Sequence, residues 1–309
     1  MELKKIPSKY PLISSQKQID DAIKIARKKL NDNLSNDEIK KLNQIQRDFQ
    51  SGKDTVHKYS KKGERGQLIA QRLTFHNKIL NNQFKDKSTI DTRDPDLYIL
   101  GGVPGSGKTE VLGKKINEKT VMIDNDNYKL LLAKKDKSPI AKYVLAHAAL
   151  LHEEASILFD KAKKRALNEK RDVTLDMTFA SFDKGKDIIS KFKKAGYDVH
   201  LLGTQKFVHQ TIPNTVSRFL KKGRYVPPSV PAKKGNQINR NVLAARKLTN
   251  THLIIDTSIK GKPHLVSSTK GLIKKPITVK AHKRKNLVNK LQVRRHGRRK
   301  RRFSVKFNR

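Results

Sequence analysis

Residues 102–109 read Gly-Val-Pro-Gly-Ser-Gly-Lys-Thr, and their fixed positions match the spacing Gly-x-x-x-x-Gly-Lys-Ser/Thr of a phosphate-binding loop. Gly102, Gly105 and Gly107 permit a tight concave bend in which a Cβ would clash. The N–H groups of such a bend, Ser106 among them, converge on phosphate oxygens. Lys108 then reaches the β- and γ-phosphates of ATP, and the Thr109 hydroxyl reaches Mg²⁺. Further on, Ile123-Asp124-Asn125-Asp126-Asn127-Tyr128-Lys129 sets two carboxylates two residues apart. One suits a magnesium ion, directly or through water, and the other suits a proton leaving an attacking hydroxyl. The competing use of both is a turn followed by a helix cap.

Such motifs work only on a scaffold that presents strand ends side by side. Leu97-Tyr98-Ile99-Leu100 is a short apolar run before the loop, as a buried parallel strand requires, and Thr109 to Asn117 reads as the helix after it. Further candidate strands are Val121–Ile123, Val173–Leu175, Val199–Leu202 and Leu253–Ile255. Helical patterns fall between them at Ile140–Lys170, Lys184–Ala195, Pro213–Lys221 and Gln237–Thr249. This alternation over 96–256 predicts an α/β fold of the P-loop NTPase type, a parallel sheet with helices on both faces and ligands beyond the carboxyl ends of the strands.

Residues 1–95 read as a helical extension. Ile19, Ala22, Ile23, Ala26 and Leu30 recur at helical spacing, as do Ile39, Leu42, Ile45 and Phe49, and Ser35-Asn36-Asp37 is a start signal for the second helix. A polar stretch from Ser51 to Gly66 precedes a helix over Gln67–Phe84, and Asp91–Asp96 is the expected linker. At the other end, residues 257–309 hold 19 basic residues and no acidic one, in a chain of net charge +42. Self-repulsion and few apolar groups predict a disordered basic tail. Such a tail attracts nucleic acid or another polyanion.

Composition narrows the rest. The chain has no cysteine, which excludes disulfides and thiolate metal sites. No apolar run approaches the roughly 18 residues of a spanning helix, and the first residues lack the apolar core of a secretory signal. The expectation is therefore no membrane and a cytoplasmic address, or a virion-associated one for a viral source. The ten histidines lack metal-ligand spacing, and no Gly-x-Ser-x-Gly elbow supports a serine hydrolase.

The glycine loop followed by Asp-Asn-Asp-x-Tyr-Lys resembles the zeta toxin family of small-molecule kinases, over roughly residues 60–256. The resemblance implies ATP and Mg²⁺ as cofactors and a hydroxyl of a nucleotide sugar, UDP-N-acetylglucosamine, as acceptor. It makes Asp126 the general base, with Lys108 on the phosphates and Asp124 beside Thr109 at the metal. It also makes Glu154, in Leu151-His152-Glu153-Glu154-Ala155-Ser156, a substrate-binding acid, and Asp176 and Thr178 in Leu175-Asp176-Met177-Thr178 substrate contacts. Arg218 and Arg224 fall to the transferring phosphate, and planar guanidinium groups suit its spread charge. An antitoxin is the implied protein partner. Ala180 departs from members that carry arginine at that place, which leaves the substrate open.

Two other readings remain. Polynucleotide 5′-hydroxyl kinases share the loop and an Asp-rich motif, and a basic tail would hold their substrate. A nucleic-acid-binding or packaged structural protein, with the kinase fold secondary, would also use the tail.

Overall fold

The computed structural model describes residues 9–85, 94–108, 120–259, 261–269, 291–294 and 302–305. At its centre is a six-stranded sheet ordered β4-β5-β3-β6-β7-β8. Its strands are β3 (Asp96–Gly101), β4 (Val121–Asp124), β5 (Val173–Met177), β6 (Asp198–Gln205), β7 (Thr251–Asp256) and β8 (His264–Ser268). The first five run parallel and β8 is antiparallel to β7. β3 is buried along its whole length, as its apolar run requires of a strand covered on both faces. β3 connects toward β4 and β6 toward β7, in opposite directions. Their adjacent carboxyl ends are thus the switch point where doubly wound sheets bind ligands. Register aligns those ends, Gly101 with Met177 and Gly203, and Asp124 with Asp176.

Five described helices flank the sheet: α5 (Asn125–Ala133), α6 (His152–Asn168), α7 (Phe182–Lys194), α8 (Val208–Lys222) and α9 (Ser229–Ala245). The helix expected over Ile140–Lys170 begins only at His152, and residues 134–151 are turns. Pro139 disfavours helix at Ser138, and the carbonyl and amide of Leu145 bond to another segment instead of a ladder. α8 starts before the expected Pro213, which the helix tolerates at the loss of one ladder bond. α9 also starts earlier, with Pro231 in its first turn, where a missing N–H is harmless. A 3-10 turn, Arg246–Leu248, takes the place of its expected last residues. The helix expected over Thr109–Asn117 lies outside the described residues, as does Thr109 itself.

Before the sheet come α1 (Gln16–Asn31), α2 (Asn36–Gln50), α3 (Thr55–Tyr59) and α4 (Ala70–Phe84). Ser15 and Ser35 close capping boxes at the starts of α1 and α2, with Gln18 and Glu38 as reciprocal partners. The polar stretch contains a small hairpin that sequence reading missed, β1 (Ser60–Lys61) with β2 (Glu64–Leu68). α1 buries Ile19, Ala22, Ala26 and Leu30 in a cluster shared with α8 and with Ile140, Tyr143 and Ala146. α4 places Ile79, Leu80 and Phe84 in the main core. Beyond residue 257, β8 joins the sheet, and β9 (Leu291–Arg294) pairs antiparallel with β10 (Arg302–Val305). A disordered tail did not anticipate either; the other residues of 270–309 lie outside the described set.

Candidate active site

The glycine bend follows β3 directly. Gly102, Gly105 and Gly107 have φ of +148°, +85° and +83°, which L side chains rarely adopt. A Cβ on Gly102 would collide with Thr204 Oγ1, and one on Gly105 would stand 2.8 Å from Thr211 O. Neighbouring elements pin the bend. Ser106 Oγ and Thr204 Oγ1 are 2.6 Å apart, Thr257 Oγ1 donates to Ser106 O at 2.7 Å, and Asn214 Nδ2 donates to Gly105 O at 3.1 Å. The Ser106 side chain is therefore an anchor of the loop. Lys108 Nζ donates to Gly102 O at 3.1 Å and lies 3.1 Å from Asp176 Oδ1.

Opposite the bend, Asp124 ends β4 and caps α5, its Oδ1 accepting from Asp126 N at 2.9 Å. Asp176 is its register neighbour on β5. Burial, together with the charges of Asp126 and Asp176, pushes the Asp124 carboxyl up to about 7. Asp126 goes the other way. Burial opposes its charge, but Arg224, Lys129, Arg218 and Lys108 outweigh burial and hold it below the ordinary carboxylate range. Arg224 Nη1 forms an ion pair with Asp126 Oδ2, and Lys129 Nζ lies 3.7 Å from Oδ1. Lys129 is a site residue that the sequence reading did not single out. Its signal was the spacing of three from Asp126, which puts both on one face of α5.

Arg218 projects from α8 into the same charge cluster. Burial, then the neighbouring Arg224, holds its guanidinium below the usual range. Arg218 Nε, Arg218 Nη2 and Arg224 Nε are buried and lack a hydrogen-bond partner among the described residues. Buried cationic donors are costly unless an anion takes them. A phosphate chain beside the glycine bend fits them in charge and in place. For a cation the fit is narrower. Among the described residues no three His, Cys, Asp or Glu side chains form a metal-holding group. Nucleotide-bound Mg²⁺ needs fewer protein ligands, since phosphates and water complete its shell. Asp124, raised by burial and by like charges, is the carboxyl that a cation would ionise.

Lys108, Asp124, Asp126, Asp176, Arg218 and Arg224 thus converge; Thr178, just past the strand end that carries Asp176, and Glu154 have partners of their own within the fold. Thr178 Oγ1 accepts from Ala180 N at 3.3 Å in the turn after β5. Glu154 is fully buried in α6. Arg72 Nε donates to its Oε1 at 2.5 Å, Arg72 Nη2 to its Oε2 at 2.8 Å, and His76 Nε2 lies 2.7 Å from Oε1. Burial opposes the charge of Glu154, yet His76, Arg72 and Thr55 hold its carboxyl down at about 2. Both oxygens are engaged within the fold.

The zeta toxin family model matches residues 81–264, more than half of the chain. Among solved structures, the AvrRxo1-ORF1:AvrRxo1-ORF2 complex with sulphate ions is similar at a TM-score of 0.52 and 20% identity, covering 66% of this chain and 69% of that one. The same pair with ATP gives 0.51 and 17%, covering 66% and 68%. The PezAT toxin–antitoxin system of Streptococcus pneumoniae gives 0.43 and 14%, covering 66% and 83%. No curated protein matches by sequence. At these identities the first two structures show a shared α/β fold and nothing more; nucleotide binding is implied by the family match together with this chain's own phosphate-binding bend. No helix of the described residues is long and apolar enough to cross a membrane. The family match and the site geometry agree on a phosphotransferase, and the chain belongs to the zeta toxin family.

Proposed function

We propose that this chain transfers the γ-phosphoryl group of ATP to a hydroxyl of a small molecule, a nucleotide sugar such as UDP-N-acetylglucosamine. One observation carries the reading: buried arginine N–H groups without partners face the same cluster as a carboxylate pair and a phosphate-binding bend. The amides of Gly102–Lys108 bind the phosphates, and Lys108 exchanges Asp176 for a phosphate oxygen. Arg218 donates to the moving phosphoryl group. Arg224 shifts from Asp126 toward the same oxygens, and that shift removes the main charge holding Asp126 down. Asp126 then becomes a stronger base as the acceptor hydroxyl loses its proton. Mg²⁺, held by Thr109 and Asp124, would supply neutralisation of the phosphate charge. Asp176 and Thr178, at the end of β5, orient the acceptor. Glu154 acts through the placement of α6 and not by contact.

Labelled ATP with UDP-N-acetylglucosamine or a 5′-hydroxyl oligonucleotide tests this reading. Asp126→Asn should lower turnover by about 10²- to 10⁴-fold while ATP binding persists. Unchanged turnover removes the base assignment, and transfer only to the oligonucleotide moves the acceptor to the polynucleotide class. The acid-free basic segment beyond residue 257 supports a second property, binding of nucleic acid through phosphates. Membership of a toxin family, and the two-chain AvrRxo1-ORF1:-ORF2 complex with the same fold, support an antitoxin partner, and co-purification with a small neutralising protein is its test.

A further inference from the structure

The segment between α5 and α6 has no regular structure, yet it is held at both ends by the N-terminal helices. At its start, the buried Asp136 accepts from Lys58 Nζ at 2.9 Å, Tyr59 OH at 2.6 Å and Arg72 Nη2 at 2.7 Å. At its end, Leu150 O accepts from Thr55 N at 3.0 Å and Thr55 Oγ1 at 3.2 Å. The guanidinium of Arg72 reaches both Asp136 and Glu154, so one side chain of α4 ties the segment's beginning to α6. In the middle, Leu145 N donates to Gly223 O at 3.1 Å and Tyr225 N donates to Leu145 O at 3.2 Å. Arg224 is clasped between these two bonds. Gly223 has φ of +72°, and a Cβ there would stand 3.2 Å from Tyr143 Cα and from Val144 N, so the two backbones are in contact. From that clasp Arg224 reaches Asp126.

We propose that Arg72 and Asp136 are positioning residues for Arg224: they anchor the 137–151 segment, and its Leu145 fixes the arginine against Asp126. A segment without a helical or sheet ladder takes its shape from its end anchors and its packing. Cutting the buried anchor at Asp136 therefore loosens the clasp at Leu145. Helices that precede the kinase sheet in sequence become part of the catalytic apparatus. The kinetic half of this inference rests on the phosphoryl-transfer reading above.

The test uses the full chain, labelled ATP and UDP-N-acetylglucosamine as acceptor. Arg72→Lys keeps the charge and loses the planar fork. Together with Asp136→Asn, it is measured in the wild-type and Arg224→Lys backgrounds. In the wild-type background kcat should fall roughly 10- to 100-fold, with KM for ATP within about twofold. In the Arg224→Lys background the same changes should cost less than about twofold, because the group they position is already altered. Hydrogen exchange supplies a readout independent of turnover. Arg72→Lys should speed exchange at the Leu145 and Tyr225 amides and leave α7 unchanged. Tyr59→Phe, which removes one bond to Asp136, should give the same pattern at lower amplitude. Equal kinetic losses in both backgrounds, or unchanged exchange at Leu145 and Tyr225 in folded variants, overturn the proposal. A wild-type protein that phosphorylates no acceptor overturns the functional reading instead, and exchange alone then decides the positioning claim.

Discussion

Asp124→Asn should make the protein more stable, by a margin that opens above about pH 4 and is complete above about pH 7. The Asp124 carboxyl is displaced from its ordinary 3.8 up to about 7 by burial and by Asp126 and Asp176. Such a displacement corresponds to about 4 kcal/mol of unfavourable free energy once the group is ionised. Below pH 3.8 the carboxyl is protonated in both folded and unfolded chains, and the fold loses nothing. Between 3.8 and 7 the folded chain keeps a proton that the unfolded chain releases, so stability falls as pH rises. Above 7 the whole cost is present. Asparagine carries no charge and caps a helix as well as aspartate, so the bond to the Asp126 amide survives. The melting temperature of Asp124→Asn should exceed that of the wild type by about 3–8 °C at pH 8, and the difference should vanish near pH 4. Scanning calorimetry across that range is the assay. Adding ATP with magnesium should reverse the order, because the variant lacks the carboxylate that a cation would ionise. A variant that melts at or below the wild type at pH 8, or a difference that does not change with pH, would refute the assignment of Asp124 as the strained carboxyl of the site.

Arg218→Ala removes unpartnered donors without breaking any bond within the described fold, so it should lower kcat about 10²- to 10³-fold while leaving the melting temperature unchanged or slightly raised. A loss confined to KM would show that Arg218 binds the ground state only. Removing residues 270–309 should flatten the salt dependence of binding to a DNA duplex, since each neutralised phosphate contributes about −0.9 to the logarithmic slope. An unchanged slope in a titration from 50 to 200 mM salt would move the binding surface elsewhere.

The parts of the site that were legible in sequence depend on local geometry. The glycine bend needs its three positive φ values wherever it occurs, so its residues announce it. Asp124 and Asp126 share one turn, where a cap bond links them over two residues. The candidate strands lie within the observed ones because fully buried parallel strands read as apolar runs. Long-range pairing was not legible. Glu154 and Arg72 are 82 residues apart, and neither spacing nor composition links them. The 134–151 segment carries enough apolar residues to suggest a helix, but Tyr143 packs on Phe219 and Leu145 bonds across to Gly223, so tertiary contacts and not period decide its path. The polar character of β8 hid a strand that needs only one buried side chain, Val266, to lie along β7.

Ser106, Thr204, Thr257 and Asn214 give the glycine bend a further property. Their side chains tie it to the ends of two strands and to α8 through bonds made wholly within the protein. The fold itself therefore specifies the shape that receives phosphate. Freezing a mobile side chain on binding costs about 0.5–1.5 kcal/mol, and here folding has already ordered these hydroxyls. Nucleotide capture should in consequence be fast and weakly dependent on loop rearrangement, and any slow step in turnover should arise on the arginine side of the cleft.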